Sequence, residues 1–222
     1  GVQAFALPVS PRWVRHLTSW EVPDVQWSPH PQRPYWVVST SNQKGIIWNL
    51  SRSSASAHEH ILHGHERAIT DINFHNVHPE IIATTSVDSH CLVWDVRANP
   101  KRPVHVVCDW DSGASQIKWN FKNDYVFASA HGERINIWDT RNGNTPLCRI
   151  TAHYGKINGL NFSRTKETEL LSCSNDTTVK SWDYGSGELQ KNFVINANFP
   201  VMKARYLQFS DSLAIMPLRG GD

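Results

Sequence analysis

Four tryptophans recur at near-constant spacing, and that period limits what the chain can fold into more than any other feature. Trp48, Trp94, Trp138 and Trp182 stand in GIIWNL, CLVWDV, INIWDT and VKSWDY, 46, 44 and 44 residues apart. Another aromatic lies 19 to 21 residues before each one: Trp27 in DVQWSPH, Phe74 in ITDINFH, Trp119 in SQIKWNF and Phe162 in INGLNFS. Such a period marks stacked repeats in which no single unit buries its apolar surface alone.

Each period divides further. Between its two aromatics lies a short run, YWVVSTS, EIIATTS, YVFASA or ELLSCS, followed by a polar turn such as NQKG or VDSH. A fourth run, for example EHILHG, PVHVVCD or LCRITAH, fills the interval before the next unit. Length and β-branched content read as strands, and their near-continuous apolarity fits small sheets covered on both faces. The expectation is an all-β chain with four strands per unit and no helix.

Composition excludes several classes of function. Lys plus Arg total 22 against 20 for Asp plus Glu, and a net charge of +2 gives no general attraction to nucleic acid. The cysteines at 91, 108, 148 and 173 form no C-x-x-C pair, which reads as free thiols in a reducing compartment. No run approaches eighteen apolar residues, and the start GVQAFALPVSPRW has neither a basic leader nor a long apolar stretch. Neither secretion nor membrane insertion is expected.

These units resemble the WD-repeat β-propeller family, whose four-stranded blades carry Gly-His near the start and Trp-Asp near the end. Gly64 and His65 precede Trp94 by 30 and 29 residues, and Ala152 and His153 precede Trp182 by the same distances. The resemblance then implies two structural tetrads, His65, Thr84, Asp88 and Trp94, and His153, Ser172, Asp176 and Trp182. In such a chain an Asp orients a His, which bonds a hydroxyl that reaches the indole N–H, and buried chains of this kind must be fully satisfied. His153, Ser172 and Asp176 look like a hydrolase triad on paper, but no nucleophile elbow or oxyanion donors accompany them. No catalytic residue, cofactor or small-molecule substrate is expected.

The other two units depart from the pattern. Counted back from Trp48, Asn42 and Val38 occupy the Asp and hydroxyl positions; counted back from Trp138, Gly132 and Ala128 do. Neither unit is expected to form the tetrad, and Trp20 and Trp110, each 28 residues before its tryptophan, are expected to replace it with apolar packing. The histidines of HEHILHGHE pose a separate question, whether His58, His60, His63 and His65 collect a metal. No metal is expected, because His65 belongs to a tetrad and the spacing fits no zinc pattern. His58 and His60 then fall on an outermost strand or its loop, and His63 at a blade junction.

The expected organisation is one partial propeller over residues 1–222. Residues 1–19 read as the end of a preceding blade, 20–63, 64–109, 110–151 and 152–197 as four blades, and 198–222 as the start of another. Seven blades are usual for such propellers, so four would leave an arc with two open faces.

The segments WEVPDVQWSPHP, HGHERAITDINFHNVHPEIIATTSVDSHCLVWDVR and SNDTTVKSWDY followed by NFPVMKARYLQF resemble the propeller of the WD-repeat protein fifty-nine family, called Mtc-five in budding yeast. That resemblance implies a non-enzymatic scaffold in the Seh-associated complex, also called SEA or GATOR-two. This complex controls TORC-one signalling in response to amino acids at the cytosolic face of the vacuole or lysosome. The implied partners are other WD-repeat propeller proteins of that complex. Candidate partner-binding residues, read as exposed in loops, are Trp110 with Asp111, His131, Arg134 and His30. A rival reading rests on WDVR and WDTR, residues 94–97 and 138–141, which are similar to the signature of substrate receptors of cullin-four ubiquitin ligases. There Arg97 and Arg141 would face the adaptor.

Overall fold

The strands form where the runs of Val, Ile, Thr and aromatic residues stand, because branched and flat side chains pack well on a pleated surface covered on both sides. The computed structural model describes residues 18–52, 56–98, 102–186, 190–207 and 212–218. The reading of residues 1–17 as part of a preceding blade lies outside them.

Four antiparallel four-stranded meanders follow one another along the chain. The first contains β1 Val25–Trp27, β2 Trp36–Ser41, β3 Lys44–Asn49 and β4 His58–His63. The second contains β5 Ile69–Phe74, β6 Ile81–Ser86, β7 His90–Asp95 and β8 His105–Cys108. The third is built from β9 Ala114–Trp119, β10 Val126–His131, β11 Arg134–Asp139 and β12 Cys148–Thr151. The fourth has β13 Ile157–Phe162, β14 Glu169–Ser174, β15 Thr178–Asp183 and β16 Gln190–Asn196. A two-stranded sheet, β17 Val201–Tyr206 with β18 Leu213–Pro217, completes the described elements. The chain is all-β, in blades of the WD-repeat propeller type.

First strands of successive sheets lie beside one another, β5 against β9, β9 against β13 and β13 against β17, so the sheets radiate from a common axis. The apolar core is accordingly a series of seams. Val38, Ile47, Phe74 and Trp94 close the seam between the first two sheets. Val107, Trp119, Phe127 and Trp138 close the next, and Ile135, Phe162, Leu170 and Trp182 the third. Each of Trp94, Trp138 and Trp182 faces the preceding sheet. All four cysteines are free. Burial pushes the Cys91 and Cys173 thiols up to about 12, so these two remain neutral packing groups.

Polar bridges cross the same seams. His30 Nε2–H donates to the His75 carbonyl at 2.7 Å, and His75 Nε2–H donates to the Asp124 carbonyl at 2.8 Å. Asn120 Nδ2 donates to the Glu167 carbonyl at 2.7 Å. Nearer the axis, Asp71 Oδ2 accepts bonds from the Ile117 backbone N–H at 2.8 Å and from Lys118 Nζ at 2.7 Å. Burial raises the Asp71 carboxyl to about 6 against the lowering influence of Lys118. His30 is therefore a buried inter-sheet link, which corrects its reading as an exposed loop residue.

The closest approach of backbone to backbone near the axis uses a glycine. A Cβ on Gly159 of β13 would lie 2.9 Å from Cys173 Sγ and 3.6 Å from the Lys203 Cα of β17. Gly159→Ala is expected to cost about 1–3 kcal/mol through overpacking. Urea denaturation of Gly159→Ala and of Gly159→Ala with Cys173→Ala checks this, because removing the sulfur should recover part of the loss.

Candidate functional site

The geometry that presents loops for binding starts in the hairpin between the second and third strands of each sheet. In the second sheet a three-residue turn, 87–89, joins β6 to β7, and Ser89 takes a positive φ of 72° to close it. This turn holds Asp88 over His65. Asp88 Oδ2 accepts His65 Nδ1–H at 2.9 Å, while Thr84 donates to His65 Nε2 at 2.8 Å and accepts Trp94 Nε1–H at 2.9 Å. The fourth sheet repeats the arrangement with Thr177 at φ 67°. His153 Nδ1–H donates to Asp176 Oδ2 at 2.9 Å, Ser172 donates to His153 Nε2 at 2.7 Å, and Trp182 Nε1–H donates to Ser172 at 2.8 Å.

The first and third sheets overturn the expectation that no polar chain forms there. Their hairpin turns, 42–43 and 132–133, hold two residues in place of three, with Asn42 and Gly132 at positive φ. The shorter turn moves the hydroxyl from ten residues before the tryptophan to nine. Trp48 Nε1–H donates to Ser39 at 2.9 Å and Trp138 Nε1–H to Ser129 at 2.8 Å. In the third sheet Ser129 continues to His131 Nε2 at 2.8 Å, and His131 Nδ1–H donates to the Ser112 carbonyl at 3.0 Å. His131 is thus a buried strand residue that rebuilds the chain with a carbonyl in place of a carboxylate, which corrects its reading as an exposed contact.

Trp20 and Trp110 do not fill the gap with packing either. They are 60% and 80% exposed. Tyr154 stands the same 28 residues before Trp182 and is 92% exposed, and Glu66 holds that position in the second sheet. All four sit in the connections that lead into first strands, on one rim. Tyr154 was not singled out from the sequence, although the register that found Trp20 and Trp110 also finds it.

The tetrad aspartates fix this rim directly. Asp88 Oδ2 accepts the Glu66 backbone N–H at 2.9 Å, and Asp176 Oδ2 accepts that of Tyr154 at 3.0 Å. Around Trp110 another device serves: Asp109 accepts the Asp111 backbone N–H at 3.2 Å and pairs with Arg134 at 3.2 Å. Arg134 also reaches Asp111 at 2.7 Å, so the guanidinium is a loop clasp. The Trp110 ring stands edge-on to His90, centroids 5.3 Å apart.

On the opposite rim Arg97 and Arg141 each grip an aspartate two residues back. Arg97 donates from Nε to Asp95 Oδ1 at 3.0 Å and from its terminal nitrogen to Oδ2 at 2.7 Å; Arg141 holds Asp139 at 2.9 and 2.6 Å. The Trp-Asp-x-Arg pattern therefore has a local structural cause. The clustered histidines also have aromatic partners: His58 lies edge-on to Trp48 at 4.2 Å and His60 to Trp36 at 6.0 Å, with His63 ending the same strand. Among the described residues no group of three or more His, Cys, Asp or Glu is placed to hold a metal ion, and no helix is long and apolar enough to cross a membrane.

The tetrads set the protonation of their members. Burial pushes the His153 imidazole down to about 4, against the attraction of Asp176. Burial alone would raise Asp176, but bonds from Thr178 and the Tyr154 backbone N–H hold it down at about 2. Asp88 is likewise held well below the usual carboxylate range, its burial outweighed by His65 and two backbone N–H groups. A neutral His153 is the form that can accept from Ser172.

The WD domain, G-beta repeat family matches residues 56–95 and 144–183, the two repeats with complete tetrads. Maintenance of telomere capping protein 5 of Saccharomyces cerevisiae is 52% identical over 212 residues, covering 96% of this chain and 18% of that protein. A RWD, RING finger and WD repeat-containing protein of Schizosaccharomyces pombe is 48% identical over 95% of the chain and 16% of its own length. The human GATOR2 complex protein WDR59 is 33% identical over 91% of the chain and 20% of its own. The chain thus spans about a fifth or less of the length of these relatives.

Trp94→Ala and Trp182→Ala are each expected to cost about 3–5 kcal/mol. Asp88→Ala and Ser129→Ala should cost about 1–3 kcal/mol by stranding a buried donor. Urea midpoints check all four, and a neutral Ser129→Ala would remove the chain assigned to the third sheet. A second expectation concerns pH. Because His153 is depressed from 6.5 to about 4 in the fold, its contribution is complete above pH 6.5 and is lost as pH falls through about 4. Stability measured from pH 7 to 4 should fall more steeply in the parent than in His153→Gln.

Proposed function

The chain belongs to the WD-repeat family, and we propose that it acts as a non-enzymatic docking platform within a SEA- or GATOR2-type complex controlling TORC-one signalling in response to amino acids. Membership rests on repeats, blade architecture and long, near-full-chain similarity to the telomere capping protein and WDR59 relatives. Its partners in this reading are other propeller proteins of the same complex, met at the cytosolic face of the vacuole or lysosome.

The observation that carries the platform reading is the rim bearing Trp20, Trp110 and Tyr154. Large exposed aromatics at one register position, on backbone fixed from below, supply contact area with little conformational entropy to lose. Single apolar side chains on a surface need no explanation, but three in equivalent places on one rim do. The neighbouring polar groups are mostly spent on the loops themselves, as Arg134 and Asp176 illustrate. Affinity is therefore assigned to the aromatic side chains.

Affinity purification of the chain from its own cells, with mass spectrometry, is the test. Recovery of the other propeller subunits is expected, with a loss of about tenfold or more in Trp110→Ala with Tyr154→Ala, in the range of a hot-spot pair. Arg97→Ala with Arg141→Ala should leave recovery unchanged. Undiminished recovery in the aromatic variant would overturn the assignment of the rim, and recovery of a cullin-four adaptor instead would overturn the complex assignment.

A further inference from the structure

A cavity of about 270 Å³ opens between the second and third sheets on the rim opposite the exposed aromatics, with Val93, Val104, His105, Trp119, Asp124 and Tyr125 among its walls. Its floor is Trp119, almost wholly buried, and its mouth is edged by the exposed Val104 and Tyr125. Two polar atoms of these walls, Trp119 Nε1 and His105 Nε2, are buried and have no hydrogen-bond partner. Buried donors and acceptors are paired in the great majority of cases, so two orphans in one cavity ask for a cause.

The other polar side chain of the floor is already spent. His75 donates from Nε2 to the Asp124 carbonyl and accepts the Val77 and His78 backbone N–H groups at Nδ1, each at 3.0 Å. His105 bonds the Gly143 backbone through its other ring nitrogen, Nδ1, which therefore carries the proton and leaves Nε2 an acceptor. The cavity thus offers one fixed donor, the Trp119 indole N–H, and one fixed acceptor, His105 Nε2, in an otherwise apolar recess with a carboxylate residue, Asp124, on its wall.

We propose that this recess is a binding site for a primary carboxamide on a short apolar stem, the side chain of a glutamine or asparagine presented by a partner protein. A carboxamide carries the complementary set, a carbonyl for Trp119 and N–H groups for His105, with a further N–H to spare toward Asp124. A carboxylate would lack a donor and face Asp124; an aliphatic side chain would leave both orphans unpaired. The volume suits one side chain, and the exposed Val104 and Tyr125 at the mouth give a flanking peptide apolar surface to cover. Both orphans are sealed from water, so entry of the amide requires a small outward rotation at the mouth, where Val104 and His78 are exposed. This site is independent of the aromatic rim.

The test is an NMR titration of the isotopically labelled chain, reading the indole N–H of Trp119, which is assigned by its disappearance in Trp119→Phe. The probes are N-acetyl glutamine methylamide and the equally capped glutamate and leucine. Capped glutamine is expected to move the Trp119 resonance saturably, with Kd on the order of 1–10 mM for so small a ligand. Capped glutamate and leucine should not. His105→Phe should weaken the effect about tenfold or more, while His105→Gln, which keeps an acceptor, should retain most of it. No saturable shift with capped glutamine, equal shifts from all three probes, or an undiminished shift in His105→Phe would each overturn the proposal.

Discussion

The bond from indole N–H to a strand hydroxyl is the interaction on which the arrangement of this chain depends. It appears in all four sheets, from Trp48 to Ser39, Trp94 to Thr84, Trp138 to Ser129 and Trp182 to Ser172, at 2.8 to 2.9 Å. A tryptophan in an apolar seam buries more area than any other side chain, but its N–H must be paired where water cannot reach. The hydroxyl on the neighbouring strand meets that need and fixes which indole face packs against the preceding sheet. Once that hydroxyl is committed, its own proton needs an acceptor. The histidine, and in two sheets the aspartate behind it, follow from that requirement.

Adjacent sheets are joined by more than apolar contact. The His30, His75 and Asn120 side chains pass hydrogen bonds to the backbone of the next sheet, and Asp71 does so beside the axis. Such bonds are directional, so they fix the register of one sheet on the next where a purely apolar seam would tolerate sliding. A platform built this way presents its rim residues at constant spacing, which is what recognition by several loops at once demands.

Period, strand content and two complete tetrads were legible in the sequence because they rest on fixed spacing and on strong residue preferences. The incomplete tetrads were misread for a definable reason. Counting back a constant number of residues from the tryptophan assumes a constant hairpin, and the two-residue turns after Ser41 and His131 shift the hydroxyl by one place. Val38 and Ala128 were read where Ser39 and Ser129 stand. Burial of His131 and His30 was not legible, since a histidine beside a turn looks the same in sequence whether its ring points in or out. Exposure of Trp20 and Trp110 was hidden by the opposite bias: a tryptophan is assumed to be buried unless something else fills its place, and here Ser39 and Ser129 do.

The tetrad aspartate separates two demands that usually conflict, a rigid loop and a variable surface. Asp88 and Asp176 bind the next residue on the rim through its backbone N–H, a group every residue but proline supplies. Glu66 and Tyr154 prove the point within this one chain: they occupy the same position, take the same bond at 2.9 and 3.0 Å, and present opposite chemistry to solvent. Side-chain identity on the rim can therefore change without loosening the backbone that carries it, whereas a change in the aspartate, histidine or hydroxyl strands buried groups in every layer below. The surface that meets partners is thus chemically free and geometrically fixed, and for that reason one blade can offer a carboxylate and another an aromatic ring from a common frame.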